Sequence, residues 1–225
     1  MSQNKLFYTD FKFSDRTTKA QYVWLKYGSI LNGRILDVGA DECHLKSYLP
    51  ANTKYIGIGL GGAPDIQVNL EEGKIPFDDR SFDCVMCLDV LEHVESIHAI
   101  FDEICRVSND WVIIALPNAW NTMYNMLKGD VYKPNQAFKF YGLPVEPPQD
   151  RHKWFFSYDE AEAFVRYRAQ KCGFVVAQLE PYEIGNDGGE LESIKREKAR
   201  KELFYEELNI RNLYYGTMWC VLRRA

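Results

Sequence analysis

Apolar and polar positions alternate along this chain with two distinct periods. Between Thr17 and Leu31 the residues Ala20, Val23, Trp24, Tyr27 and Leu31 recur at helical spacing, and Gly33 closes the segment. Short apolar runs follow at Arg34–Gly39 (RILDVG), Lys54–Gly59 (KYIGIG), Asp65–Val68, Ser81–Leu88 and Asp110–Leu116 (DWVIIAL). Each reads as a strand, and Pro117 stops the last of them. Residues 41–48 suit a short helix, and a longer one is expected over about Ser96–Val107. Ser157 with Glu160 three residues later is the signature of a capped helix, here running to Cys172 and ended by Gly173. Phe174–Glu180 and Leu213–Arg223 supply a sixth and a seventh strand. Between them, Glu190–Leu208 is dense in charge and helix formers and predicts a solvated helix.

Short apolar strands alternating with helices imply a mostly parallel sheet covered on both faces. The expected fold is therefore a three-layer, Rossmann-like α/β domain spanning residues 1–225, with seven strands. No strongly apolar crossover helix joins the last two strands, so the seventh is expected to run antiparallel at or near the sheet edge. Residues 118–156 lose periodicity and carry Trp120, Tyr124, Tyr132, Phe138, Phe140, Tyr141, Trp154, Phe155 and Phe156. Residues 183–212 read as a helical insertion. Ligands of such a sheet bind beyond the carboxyl ends of its strands, which makes the residues just after each strand the candidates.

Composition narrows the function classes. A net charge of −5 and a pI near 5.5 argue against a general nucleic-acid binder, which needs a basic footprint. No apolar run approaches the ~20 residues of a membrane span, and the N-terminus lacks a signal-peptide core, so a cytoplasmic location is expected. Six cysteines are scattered through the apolar patterns. Cys84 and Cys87 form a C-x-x-C, but inside a strand such a pair faces opposite sides of the sheet. With no second pair to complete a zinc site, they read as buried thiols, and no metal is expected.

Four segments, ILDVGADECHL (35–45), YIGIGL (55–60), IPFDDRSFDCVMCLDVLEHV (75–94) and WVIIALPN (111–118), stand in a characteristic order and spacing. The set resembles class I S-adenosylmethionine-dependent methyltransferases, and looks most like their small-molecule branch. HKWFFSYDEAEAFVRYRAQKCGF also resembles the helix that precedes the family's sixth strand. The resemblance implies S-adenosylmethionine as cofactor and a small-molecule methyl acceptor. It places Asp37 at the cofactor's ammonium group, with Gly39 and Ala40 in the turn beside it. Gly59 and Leu60 fall at the ribose, Asn69 and Leu70 at the adenine, and Leu88 and Asp89 at the methionine part. His93 and Glu92 would organise the loop after the fourth strand. His152 is the candidate general base for a hydroxyl acceptor, with residues 118–156 as lid and acceptor pocket. A homodimer is compatible with the charged 190–208 segment.

Two departures from the family pattern bear on the cofactor. Its G-x-G-x-G turn is here Gly39-Ala40-Asp41-Glu42-Cys43, and the acid that accepts the ribose hydroxyls is replaced by Gly59-Leu60-Gly61-Gly62. Loss of a buried charged acceptor costs about 1.5–3 kcal/mol of binding. A non-catalytic descendant that binds a partner or a nucleotide-like ligand is therefore the rival reading. A dehydrogenase is disfavoured, because G-x-G-x-x-G and the acid on the second strand are both missing.

Overall fold

Runs of fully buried aliphatic residues set the strands of the sheet. The computed structural model describes residues 5–128, 141–148, 150–182, 197, 201 and 210–225. Its elements, in chain order, are α1 (Arg16–Tyr27), β1 (Arg34–Val38), β2 (Lys54–Gly59), β3 (Ile66–Gln67), β4 (Phe82–Leu88), α2 (Ile97–Val107), β5 (Ser108–Leu116), α3 (Ala119–Lys128), α4 (Tyr158–Lys171), β6 (Phe174–Pro181), α5 (Ile210–Tyr214) and β7 (Met218–Arg224). Three 3-10 turns, His44–Ser47, Leu70–Glu72 and Leu91–His93, follow β1, β3 and β4. The strands form one sheet in the order β3-β2-β1-β4-β5-β7-β6. Pairing is parallel from β3 to β5, and β7 lies antiparallel between β5 and β6.

Period-two alternation sends neighbouring residues to opposite layers. Leu36, Val38, Val85, Cys87, Val112 and Ile114 pack beneath α2 and α4. Ile35, Cys84, Met86, Ile113 and Ala115 pack beneath α1 and the N-terminal segment. Cys84 and Cys87 thus lie on opposite faces, both buried and both free thiols. Helix α2 buries Ile97, Ile100, Phe101, Ile104 and Cys105 along one stripe, which is what joins β4 to β5 as a parallel crossover. Ser157 caps α4 in a two-way box with Glu160.

Several elements differ from the sequence expectation. Helix α1 stops at Tyr27: the Gly28 N–H makes a last bond of helical spacing to the Trp24 carbonyl, and Ile30 and Leu31 then close tighter turns on the Tyr27 and Gly28 carbonyls. Helix α3 was not expected, although its segment AWNTMYNMLK places Trp120, Met123, Tyr124 and Leu127 at helical spacing. Buried Asn118 nucleates it, accepting from the Asn121 N–H at 3.3 Å while its amide donates to the Asn212 and Tyr215 carbonyls. The same two bonds keep residues 213–217 out of the sheet, so β7 begins at Met218 rather than Leu213. Tyr132, Phe138, Phe140 and most of the helix expected over Glu190–Leu208 fall outside the described residues. Among the described residues no helix is long and apolar enough to cross a membrane.

The N-terminal segment is strapped to the far edge. Gln178 of β6 donates to the Phe7 carbonyl and accepts from its N–H, at 2.8 and 2.9 Å. Phe13 stacks on Tyr182 at 4.2 Å and donates its N–H to the tyrosine hydroxyl at 2.9 Å. This strap delivers the start of α1 to the carboxyl ends of the central strands.

Candidate functional site

The direction of the chain reverses across β1, with β2 on one side and β4 on the other, and a ligand crevice is expected there. A cavity of about 680 Å³ opens at this point. That is within the range of small-molecule sites. Its walls come from the start of α1, the ends of β1 and β4, the turn after β4, and residues 150 and 152.

Register places Asp37 beside Gly57 and Met86 in the middle of the sheet. Its carboxylate lies on the cavity floor and accepts a 2.7 Å hydrogen bond from the Tyr55 hydroxyl. Burial pushes its pKa up to about 6, opposed by the tyrosine bond and by nearby Lys19. Gly39 follows with φ of +78°, and a Cβ there would stand 2.3 Å from Val90 Cγ2. Only glycine lets the turn after β1 meet the loop after β4 this closely. The next two positions where the family pattern has glycine are Asp41 and Cys43, and both keep a left-handed backbone, with φ of +50° and +53°. Two side chains therefore bear the strain of this turn, at roughly 1 kcal/mol each.

Asp89, the residue after β4, is also left-handed, with φ of +56° and its N–H bonded to the Ala115 carbonyl. One of its oxygens pairs with Lys19 at 2.5 Å, and the other is buried without a hydrogen-bond partner. Lys19 also lies 5.5 Å over the Trp219 ring. Neither Lys19 nor Arg16, which pairs with Asp41, was singled out from the sequence. A signal was present: two cations occupy the first turn of α1, where the helix dipole disfavours them. Cations in such a place call for carboxylates opposite, and Asp89 and Asp41 supply them.

Beyond Asp89 the turn Leu91–His93 presents Glu92 and His93 to the cavity, and the Lys153 N–H bonds the Glu92 carbonyl at 2.8 Å to lay His152 alongside. Trp154 fixes the same segment through its indole N–H to the Val94 carbonyl. Glu92 is 1% exposed, and neither of its carboxyl oxygens has a hydrogen-bond partner. Burial, then the charge of Asp89, raises its pKa well above the usual range. His152 is pushed down to about 4 by burial and by His93, so it is neutral near pH 7.

The sequence-predicted residues thus divide. Asp37, Gly39, Ala40, Leu88, Asp89, His93 and His152 line one cavity. Gly59, Leu60, Asn69 and Leu70 do not. Leu60 is 62% exposed; Asn69 caps the turn Leu70–Glu72 by accepting from the Glu71 N–H; Leu70 is buried in the core. Within the aromatic segment, Trp154 and Phe156 pack on the core, Phe155 and Trp120 are exposed, and Tyr141 meets His152 edge-on.

Residues 51–114 match the family model described as a methyltransferase domain. Solved structures share the fold at low identity. A SAM-dependent methyltransferase from Archaeoglobus fulgidus has a TM-score of 0.57 at 15% identity, covering 94% of this chain and 95% of that one. The small RNA methyltransferase HEN1 has a TM-score of 0.58 at 13% identity, with 96% of this chain matched to 26% of that longer one. Magnesium protoporphyrin IX methyltransferase from Synechocystis, solved with bound SAH, has a TM-score of 0.52 at 16% identity, covering 97% and 91%. No curated protein matches the chain in sequence.

Proposed function

We propose that this chain, a class I S-adenosylmethionine-dependent methyltransferase by its fold and by the domain match over residues 51–114, methylates a small molecule held beside Glu92, His93 and His152. The observation that carries the reading is one cleft in which Asp37, Asp89 and Lys19 surround the Gly39 turn. An amino-acid moiety carries one ammonium and one carboxylate, and these three side chains offer both complements.

The fit to the cofactor differs between its two ends. At the amino-acid end, Asp37 would hold the ammonium and Lys19 the carboxylate, with the orphaned oxygen of Asp89 left to accept from a donor. At the ribose end, the segment Gly59–Ala63 brings no carboxylate. It folds instead against the turn after β1, with the Ala63 N–H bonded to the Asp41 carbonyl at 2.9 Å. Backbone groups of that segment would have to meet the ribose.

S-adenosylmethionine supplies an electrophilic sulfonium methyl. The chain's part is to align an acceptor with it and to keep the meeting point dry. The Asp89 carboxylate on the cavity wall favours a cationic sulfur over a neutral one. Neutral His152 is in the right protonation state to accept a proton, yet a base of pKa about 4 pulls weakly on a hydroxyl.

The rival reading, a fold kept for binding alone, draws on the two strained non-glycine positions and the absent ribose acid. Calorimetric titration separates the two. Micromolar binding of S-adenosylmethionine and S-adenosylhomocysteine, weakened by Asp37→Ala, supports the enzyme. No heat and no thermal stabilisation at millimolar ligand rules it out.

A further inference from the structure

Three side chains distant in sequence converge at the back of the cleft. Oε1 of Glu92 lies 3.8 Å from Nε2 of His93 and 3.9 Å from Nε2 of His152. One ligand-type atom from each residue falls within 4.8 Å of the other two. Ligands bound at about 2.0–2.2 Å from a common ion stand roughly 3.0–3.6 Å apart. Small side-chain rotations would therefore close the trio onto a cation.

The outer contacts have the form that metal sites require. Nδ1 of His93 lies 2.7 Å from an Asp150 carboxylate oxygen, which fixes the proton on that nitrogen and turns the Nε2 lone pair inward. Nδ1 of His152 lies 2.7 Å from the Tyr141 hydroxyl, so its inner nitrogen is likewise Nε2. Histidine ligands are ordinarily oriented by such partners on the opposite ring nitrogen. Glu92 adds the independent sign: a carboxyl 1% exposed, aimed into the cavity, with both oxygens unpartnered. Buried carboxyls are ordinarily hydrogen-bonded, paired with a charge or bound to metal. Glu92 thus faces two imidazoles whose outer ring nitrogens are already engaged, an arrangement that a cation completes.

We propose that Glu92, His93 and His152 bind one divalent first-row transition-metal cation, whose open positions face the cofactor cleft and take the hydroxyl oxygen of the methyl acceptor. Two imidazoles and one carboxylate suit Mn²⁺, Fe²⁺, Co²⁺ or Zn²⁺ better than Mg²⁺. The ion-binding half stands on its own, and the acceptor half rests on the methyl-transfer reading. In that half, the cation lowers the pKa of the bound hydroxyl, which gives its proton to solvent. The oxygen then forms a bond to the sulfonium methyl as the sulfur–methyl bond breaks, and the sulfur keeps the electron pair as a neutral thioether.

The test uses tag-free protein stripped with a chelator and titrated with Co²⁺ alone. We expect one equivalent to bind at micromolar Kd or tighter, with visible d–d absorption of a nitrogen- and oxygen-ligated site. His93→Asn, His152→Asn and Glu92→Gln should each weaken binding at least 100-fold, and Asp150→Asn about 10-fold or more. Glu92→Gln is nearly isosteric, and its melting curve verifies that the fold persists. Acetohydroxamate, a bidentate oxygen donor, should shift the Co²⁺ spectrum of the wild type. No d–d spectrum, or one indifferent to all three ligand substitutions, overturns the metal site. A spectrum indifferent to acetohydroxamate overturns the acceptor half. S-adenosylmethionine binding, titrated separately on the stripped protein, fails only if the methyl-transfer reading fails.

Discussion

The strand ends on either side of the turn after β1 are built from different materials, and the charged one lines the cavity. At the ends of β1 and β4, charged side chains do the work: Asp37 over Tyr55, Asp89 against Lys19, Arg16 against Asp41. At the end of β2, a glycine-rich segment offers backbone alone. A side-chain site is rigid and selective for charge, whereas a backbone site discriminates shape and little else. The comparison teaches that recognition here should be concentrated on the amino-acid half of the ligand.

The heaviest blow to the charged strand ends is Gly39→Ala. The new methyl would meet Val90 at 2.3 Å in a backbone region that disfavours side chains. We expect a loss on the order of 3 kcal/mol in urea melts and no detectable cofactor binding. A melt within 1 kcal/mol of wild type would show that the two loops are not in contact as described.

Asp37→Asn should separate stability from binding. Cofactor affinity should fall roughly 10- to 100-fold by calorimetry, as expected for loss of a charged partner. The free protein should become more stable. A carboxyl whose folded pKa is raised from 3.8 to about 6 costs nothing below pH 3.8, and the cost grows between those values and stays constant above them. The variant's advantage should be on the order of 1–2 kcal/mol at pH 7.5 and vanish toward pH 4.

The same group sets the pH window for binding. Only ionised Asp37 attracts an ammonium, so affinity should fall by up to tenfold per pH unit below about 6. It should fall again above about 8, where an α-amino group loses its proton. A flat profile from pH 5 to 7 would remove Asp37 from the contact.

The smallest effect tests the uncharged end of β2. A Cβ at Gly59 has room, its nearest neighbour being Gly39 Cα at 3.4 Å, although φ of +159° is at the limit for a side chain. Gly59→Asp should tighten S-adenosylmethionine binding by about tenfold, as a new acceptor for the ribose. No change would mean that backbone groups already satisfy the hydroxyls.

The strands, α2 and α4 were legible in the sequence because local signals agree with tertiary burial. Both faces of the sheet are covered, so strands read as unbroken apolar runs, and Ser157 with Glu160 marks α4 directly. Asp37, Gly39 and Asp89 were legible as strand-end residues. Helix α3 was overlooked although Trp120, Met123, Tyr124 and Leu127 mark it locally; what no local window contains is its anchorage by Asn118 to carbonyls near residue 212. Nor was the convergence of Glu92 and His93 with His152, which depends on one backbone bond between Lys153 and Glu92. The left-handed backbone at Asp41 and Cys43 escaped notice because residue identity does not report φ, and neither position is a glycine.

One consequence of the strand order concerns synthesis. β7 is made after β5 and β6, yet it is the only described strand that hydrogen-bonds to both of them. Until residues 218–224 leave the ribosome, the outer rim of β5 is an unpaired ladder of Val112, Ile113, Ile114 and Ala115, and β6 has no docking partner. Nascent chains should therefore be captured by chaperones late, at one defined length, and released when the final strand slides into its slot.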